Sequence, residues 1–188
     1  LSPYDQTILV DSDYAVLNDN LGKLFYQAET FLCHNTYADI TYEGFFQSYD
    51  HLGSAFIPNC WATVVYFQKS HYAKSIFEMW KHIQNNYEYY CGIHNIHSIT
   101  YRNDYALSIA IHMINGQLSH KKFIPWKLNH VPTQSKVNLY DNKIAVVYNS
   151  YNNKLNVHVD KAFLLPSSNL HFFNKSNFES FANEFLKI

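Results

Sequence analysis

The stretch Ile8-Leu9-Val10-Asp11-Ser12-Asp13 decides the fold class that this sequence predicts. Three apolar residues, two of them β-branched, form a short run that ends abruptly in polar residues. Such a run is typical of a strand that is buried on both faces, as in the interior of a parallel sheet. The sequence therefore predicts a buried strand followed by an acidic loop.

Strand-like and helix-like segments alternate along the rest of the chain. After the acidic loop, residues 18–20 offer a helix N-cap, and apolar residues then recur at helical spacing from Leu21 to Leu32. Residues 60–67 have the composition of a strand. Further helices are predicted over 71–85, 103–115 and 177–186, and a β-hairpin is predicted from strands at 143–148 and 154–159. Strands interleaved with helices favour an α/β fold.

The position of the first strand predicts that the sequence is incomplete at its N-terminus. An interior strand needs neighbours on both edges, yet only a few residues precede Ile8, and the chain begins with Leu1 instead of methionine. The length of 188 residues suits one domain with a sizeable core. We therefore expect a single domain, 1–188, that lacks the first strands and helices of its fold.

Composition and charge argue against several classes of protein. With 47% hydrophobic and 15% charged residues, the chain is too apolar and too weakly charged for intrinsic disorder. The absence of an uninterrupted apolar stretch of about 20 residues predicts no membrane span. The formal net charge is -1, Arg102 is the only arginine, and the strongest basic cluster is Lys121-Lys122. Binding to phosphate backbones needs clustered cations, so nucleic acid is not an expected partner.

The cysteines point to a reducing compartment. Cys33, Cys60 and Cys91 are odd in number, scattered, and surrounded by apolar residues. This pattern favours reduced thiols in a core over a disulfide framework. We therefore expect a cytoplasmic protein.

The acidic pair Asp11 and Asp13 is the sharpest chemical signal. Two carboxylates spaced by one residue can turn toward one cation, and oxygen ligands suit Mg²⁺ or Mn²⁺, which proteins often share with substrate phosphates. Ligand sites in open α/β sheets also favour the carboxyl ends of strands. The alternative is a solvated turn in which Asp13 or Asp19 caps a helix.

In this context, residues 8–13 resemble the metal-binding motif of the GT-A glycosyltransferases. Three later segments follow in the family's order. Asn59-Cys60-Trp61-Ala62-Thr63-Val64-Val65-Tyr66-Phe67 is similar to the family segment Asn-Ser/Ala-Gly-Val-aliphatic-x-Phe. Asn103-Asp104-Tyr105-Ala106-Leu107-Ser108 is similar to Asp-Gln-Asp-Ala-Leu-Asn. Leu170-His171-Phe172-Phe173-Asn174-Lys175 loosely resembles the late element His-x-x-Gly-x-x-Lys-Pro of the glycogenin-like, retaining branch.

The resemblance implies a GT-A-like, Rossmann-like sheet that is mainly parallel and flanked by helices, with a β-hairpin near the C-terminus. It also implies an enzyme that moves a sugar from a nucleotide-diphosphate donor to a glycan, a protein or a small-molecule acceptor. In such an enzyme Mn²⁺ or Mg²⁺ neutralises the charge of the departing diphosphate. The residues that the resemblance assigns are the metal ligands Asp11, Asp13 and His171, the cofactor-binding residues Ser12 and Lys175, and the catalytic residues Asn59 and Asp104.

Each assigned residue outside the acidic loop has a purely structural alternative. Asn59 fits the turn that leads into a strand after Pro58. Asp104 fits a carboxylate that stabilises the N-terminus of its own helix. His171 and Lys175 fit surface positions before the last helix.

Other functions stay open at this point. Trp61-Ala62 stands where the family has Gly, which favours a non-catalytic binding or structural module with a degenerate transferase fold. A haloacid-dehalogenase-like phosphatase also begins with an apolar strand and D-x-D and would use Asp11 as nucleophile, but that family has Thr or Val where this chain has Ala15. A sugar nucleotidyltransferase would use similar metal chemistry.

Two further clusters are weaker. Cys91, His94 and His97 have a spacing that could suit zinc, but no fourth ligand is apparent, and a polar loop with a buried thiol is the alternative. The aromatic run Tyr87–Tyr90 could stack on a sugar, although such runs more often fill cores.

Overall fold

The computed structural model describes residues 2–35, 37–40, 51–98, 100–117, 122–133, 135–140, 143–152, 154–165 and 168–186. Within these ranges the chain is a mixed α/β protein whose sheets are small and mostly antiparallel. The described helices are a 3₁₀ helix at Asp19–Tyr26 and the α-helices α1 His71–Asn85, α2 Tyr87–Ile93, α3 Asn103–Ile114 and α4 Lys175–Leu186.

The described strands are mostly short. In chain order they are β1 Gln6–Val10, β2 Tyr14–Ala15, β3 Phe31–His34, β4 Tyr37–Asp39, β5 His51–Leu52, β6 Ile57–Pro58, β7 Trp61–Gln68, β8 Leu128–Val131, β9 Ser135–Tyr140, β10 Lys143–Asn152, β11 Val157–Leu165 and β12 Leu170–Phe172.

The chain divides into two compact units, each with its own core. The first unit comprises Leu1–Asp11, Leu21–Thr36 and Ser48–Lys127, and the second comprises Ser12–Asn20, Tyr37–Gln47 and Leu128–Ile188. The boundary between the first two segments falls inside the acidic loop, directly after Asp11.

The first unit is organised around a three-stranded sheet in the order β1-β7-β3. Both pairs are antiparallel, and the β1–β7 register runs from Gln6 opposite Gln68 to Val10 opposite Val64. Helices α1 and α3 supply apolar side chains to the core of this unit. That core contains Phe31, Cys33, Val65, Phe67, Ile76, Leu107 and Ile111.

Helix α1 shows why these residues form their element. Ser70 is its N-cap, and the Ser70 hydroxyl accepts a hydrogen bond from the backbone N–H of Ala73 at 3.1 Å. Ala73, Ile76 and Ile83 are buried at a spacing that places them on one helical face. A capped start and one apolar face therefore hold the helix in place.

The second unit contains two sheets. One is four-stranded in the order β2-β12-β8-β4, with parallel pairs between β12 and β8 and between β8 and β4, and an antiparallel pair between β12 and β2. The other is the antiparallel sheet β11-β10-β9. Their apolar faces and α4 share a core that includes Val131, Ile144, Val146, Leu170, Phe172 and Phe181.

The mainly parallel, Rossmann-like sheet that the sequence predicts is not found among the described residues. The strand that precedes the acidic loop pairs antiparallel with β7, and it pairs with no other strand among the described residues. Leu9 and Val10 are 43% and 39% exposed, so this is an edge strand and not an interior one. An apolar run fits an edge strand as well as a central one, and it does not specify strand direction.

The first predicted helix is confirmed only over its first part. The periodic segment that begins at Leu21 forms the end of the 3₁₀ helix, and Phe31, Leu32 and Cys33 belong to the fully buried strand β3. Pairing of β3 with β7 buries these side chains on both faces, and this tertiary gain overrides the local helical spacing.

Other sequence predictions are confirmed. The helices expected at 71–85, 103–115 and 177–186 correspond to α1, α3 and α4. The β-hairpin corresponds to β10 and β11, which pair antiparallel. All three cysteines are free and buried, and Tyr87 and Tyr90 are buried in a core, whereas Tyr89 is 66% exposed.

Candidate metal centre

The acidic loop is fixed at both of its ends by backbone hydrogen bonds. The N–H of Asp11 donates to the carbonyl of Thr63 at 2.9 Å, which continues the β1–β7 pairing by one residue. The carbonyl of Asp13 accepts the N–H of Phe172 at 2.9 Å. The second bond ties the end of the loop to β12, the strand that carries His171.

His171 and Asp13 face each other at short range. The distance from His171 Nε2 to Asp13 Oδ1 is 3.3 Å, and the two side chains are only 8% and 16% exposed. Asp13 Oδ1 nevertheless has no hydrogen-bond partner among the described residues. A buried carboxylate oxygen without a partner costs free energy unless something else satisfies it. A nitrogen and an oxygen lone pair that converge in this way suit a shared cation.

Asp11 completes the group. It lies two residues before Asp13 in the same loop, and the ligand atoms of Asp11, Asp13 and His171 all lie within 4.8 Å of one another. Asp11 is exposed, so the group is open to solvent on that side. Among the described residues this is the one group of three or more potential ligands that meets such a distance limit. Two carboxylates and one imidazole fit Mn²⁺ well and can also hold Mg²⁺ or Zn²⁺.

His130 contacts the side chain of His171 from the neighbouring strand β8. The two histidines are opposite each other in the parallel pair β12–β8, and their Nδ1 atoms are 3.1 Å apart. His130 is fully buried, and burial, followed by the charge of His171, lowers the pKa of His130 to about 2. The ring of His130 is therefore neutral at physiological pH.

Tyr14 and Asn169 complete the surroundings within this unit. Tyr14 is opposite His171 in the antiparallel pair β12–β2, and burial raises the pKa of its hydroxyl to about 12. Asn169 Oδ1 accepts the backbone N–H groups of Leu17 and Asn18 at 2.8 and 3.0 Å. These bonds anchor the segment after β2 against the strand that carries His171.

Asp104 and Asn59 both lie in the first unit. Asp104 Oδ1 accepts the backbone N–H of Ala62 at 2.9 Å, and Ser108 Oγ accepts that of Cys60 at 2.8 Å. These bonds join the start of α3 to the segment that leads into β7. Asn59 is buried at 3% exposure, and its Oδ1 has no hydrogen-bond partner among the described residues. Asp104 therefore has a structural role, whereas Asn59 presents an unused acceptor.

The two predicted cofactor-binding residues are accessible. Ser12 is exposed in the acidic loop between the two carboxylates. Lys175 is exposed and is the first residue of α4, four positions after His171. Both lie in the same unit as Asp13 and His171.

The alternative zinc cluster does not form among the described residues. Cys91 is buried in α2 and His94 is the C-cap of that helix, while His97 is exposed. The ring of His94 lies 6.0 Å from the ring of His112, a core contact and not a ligand pair. Burial lowers the pKa values of His94 and His112, so both are neutral core histidines.

Sequence reasoning missed His130, Asn169 and Tyr14. Each belongs to the surroundings of the site through its position opposite or beside β12, and local patterns in the sequence carry no information on that pairing. Residues 128–131 show only a short apolar and polar mixture, which gave no signal of a role.

Comparison of the chain with protein-family models, with curated proteins and with solved structures gave no match. Among the described residues, no helix is both long and apolar enough to cross a membrane. The functional interpretation therefore depends on the geometry of the site and on the motifs in the sequence.

Proposed function

We propose that this chain is a metal-dependent glycosyltransferase in which Asp11, Asp13 and His171 hold Mn²⁺ or Mg²⁺ on the diphosphate of a nucleotide-sugar donor. The observation that carries the proposal is the buried Asp13 Oδ1, which has no hydrogen-bond partner among the described residues and lies 3.3 Å from His171 Nε2. Motifs at opposite ends of the chain supply these two atoms, as the resemblance to GT-A glycosyltransferases implies.

The bound cation would act as a Lewis acid that neutralises the charge developing on the departing nucleoside diphosphate. Asp11 and Asp13 supply the negative charge that holds the ion, and His171 supplies a nitrogen ligand that fixes its position. Ser12 and Lys175 are exposed on the same unit as Asp13 and are proposed to bind the phosphates. The ammonium group of Lys175 would offset the phosphate charge that the cation leaves unbalanced.

Asn59 and Asp104 are proposed to bind the donor sugar or the acceptor hydroxyl. Asp104 would act mainly by holding the segment of Asn59 in place through its bond to Ala62. A relation to the GT-A fold is also part of the proposal. The sheets of the described residues are mostly antiparallel and do not support it, so it depends on the order of the motifs in the sequence alone.

A cytoplasmic location also belongs to the proposal. Three free, buried cysteines support it because cysteines of secreted proteins are commonly paired in disulfides.

The proposal is tested by thermal unfolding and by turnover. Mn²⁺ with uridine or guanosine diphosphate should raise the melting temperature, and release of nucleoside diphosphate from a panel of UDP- and GDP-sugars should require Mn²⁺. Asp11→Asn, Asp13→Asn and His171→Ala should abolish both responses. Asp5→Asn, which removes the same charge from an exposed position before β1, is the matched control.

The outcomes separate the alternatives. Mn²⁺ binding without any nucleotide response would identify a non-catalytic metal-binding module. Metal-dependent hydrolysis of p-nitrophenyl phosphate that is lost in Asp11→Asn would identify a phosphatase. If none of the ligand variants differs from Asp5→Asn in any of these assays, the proposed site does not exist.

A further inference from the structure

An open groove lies between β1 and helix α1, and we call it the β1–α1 groove. It consists of two cavities of about 660 and 290 Å³, and the larger one has the size of a typical small-molecule site. The cavities adjoin, because they share the lining residues Ser2, Phe67, Lys74 and Phe77. Every lining residue belongs to the first unit, so the groove is a feature of that unit alone.

The groove exists because the sheet of the first unit ends at β1. Thr7 and Leu9 point to the same face of β1, and Thr7 is opposite Phe67 of β7. Among the described residues no strand pairs with the outer edge of β1, and Leu9 is 43% exposed. The lining residues on α1 recur at intervals of three or four positions and therefore share one helical face. They are Lys74, Phe77, Glu78 and Lys81.

The floor of the groove is apolar and fixed in position. The ring of Phe77 packs edge-on against Phe67, with a centroid distance of 4.9 Å, and against Phe31, with a centroid distance of 6.0 Å. On the β1 side, the Thr7 hydroxyl donates to Ser2 Oγ at 2.7 Å, so these two hydroxyl groups engage each other. A peptide backbone buried here would lose hydrogen bonds to water and find few replacements, which is costly. The floor therefore favours a hydrocarbon chain.

Lysine side chains surround this apolar floor. Lys69, Lys74 and Lys81 line the two cavities, and among the described lining residues Glu78 is the one carboxylate. Lys74 Nζ lies 3.7 Å from Glu78 Oε1, and both side chains are more than half exposed. Such an exposed pair is weak, so Lys74 can turn to another anion at little cost. Three lysines against one glutamate leave a formal excess of two positive charges, which complements an anionic group.

We propose that the β1–α1 groove binds a long-chain fatty carboxylate. Its hydrocarbon chain would lie on Leu9, Phe67 and Phe77, and its carboxylate would lie among the lysines. A mostly apolar cavity with a few charged groups that fix orientation is the usual composition of a small-molecule site. This inference goes beyond the proposed function and does not rest on it, because it uses no residue of the metal centre.

The first test varies the ligand. Calorimetry of the metal-free protein with octanoate, decanoate and laurate, each below its micelle concentration, measures the affinity as a function of chain length. The affinity should rise roughly fourfold for each added CH₂ group. Dodecyltrimethylammonium has a chain of the same length as laurate and a cationic head, and it should bind about 10-fold more weakly because the lysines repel it.

The second test varies the protein. Lys81→Glu should weaken laurate binding about 3- to 10-fold, since it replaces an attraction by a repulsion. Leu9→Glu should weaken it about 10-fold, since it removes apolar contact and adds a negative charge. The matched controls are Lys136→Glu on β9 and Leu164→Glu on β11, which make the same changes at exposed positions of the second unit. The melting temperature of each variant verifies that it is folded.

The outcomes are distinct. An affinity that does not depend on chain length, equal binding of the cationic surfactant, or equal losses in the groove variants and their controls would overturn the inference. Dimerisation through β1 or binding of an acidic peptide, without binding of laurate, would also overturn it and would assign the groove to a protein partner. Laurate binding that persists in Asp13→Asn would support the groove independently of whether the proposed metal centre binds Mn²⁺.

Discussion

The carboxylate of Asp13 is expected to destabilise the metal-free protein and to stabilise the metal-bound protein. Its Oδ1 is buried without a hydrogen-bond partner among the described residues, and another carboxylate lies two positions away. An unsatisfied buried polar group costs about 1–3 kcal/mol. Because the side chain is 16% exposed, we take the lower value, about 1 kcal/mol. Asp13→Asn removes the charge and can place its amide NH₂ group at this position, where Nε2 of His171 can accept a hydrogen bond. It should therefore raise the melting temperature in EDTA by about 2–4 °C for a chain of this size.

Saturating Mn²⁺ should reverse this order. A ligand at 100 times its dissociation constant adds about 2.7 kcal/mol to the stability of the protein that binds it. The wild type should gain that amount, and Asp13→Asn should gain little because it lacks one of the three ligands. Urea unfolding of both proteins, with EDTA and with Mn²⁺, measures all four free energies. Asp5→Asn should follow the wild type under both conditions.

One result would refute the reasoning. If His171 were protonated and paired with Asp13, the substitution would break a buried ion pair and cost about 3–5 kcal/mol. A loss of that size in EDTA, with no response to Mn²⁺, would mean that the pair serves the fold alone. The two interpretations differ in the sign of the effect, so the measurement separates them without needing great precision.

Three further outcomes follow from the cores. Burial lowers the pKa of His34 to about 4, so its protonation opposes folding and the free energy of unfolding decreases as the pH falls below about 6.5. Between pH 7 and pH 5, the free energy of unfolding of His34→Leu, measured with urea, should decrease by about 2 kcal/mol less than that of the wild type. Ser108→Ala leaves a buried backbone N–H without its acceptor and should cost about 1–3 kcal/mol, whereas the exposed Ser180→Ala should change the free energy of unfolding by less than about 0.5 kcal/mol. Ile76→Ala should cost about 2–5 kcal/mol because Ile76 is fully buried, and a cost no larger than that of Ile93→Ala, at a half-exposed position, would contradict the packing described for the first unit.

Parts of the fold were predictable because the information is local. Helix α1 has a serine cap and apolar residues on one face, and α3 and α4 likewise have one-sided or continuous apolar spacing within their own bounds. The hairpin of β10 and β11 is also local, since its two strands adjoin in sequence. In such elements the hydrophobic pattern of the sequence is nearly sufficient to predict the secondary structure.

Other parts depended on pairing between distant segments. Phe31–His34 lies in a strand because β7 is available beside it, and no feature of residues 21–32 signals this partner. The direction of β1 is likewise set by β7. An apolar run specifies burial, but it leaves both the neighbour and the strand direction open.

The candidate site likewise contains residues that the sequence predicts and residues that depend on pairing between distant segments. The acidic pair was visible in the sequence, and His171 was added by resemblance to a family motif; the structure brings their ligand atoms together. His130 could not be found beforehand because its role depends on the register between β12 and β8, which lie 41 residues apart at this contact. Asn169 is hidden for the same reason, since it acts on backbone groups near the start of the chain.

The hydrogen bond from Phe172 to the carbonyl of Asp13 has a consequence for the order of folding and metal binding. It joins two segments that are far apart in the sequence, so the nitrogen ligand meets the carboxylate only once this long-range contact has formed. Metal acquisition would then follow folding and could not precede it. An ion already bound would in turn hinder separation of the two segments, much as a covalent cross-link restricts an unfolded polymer.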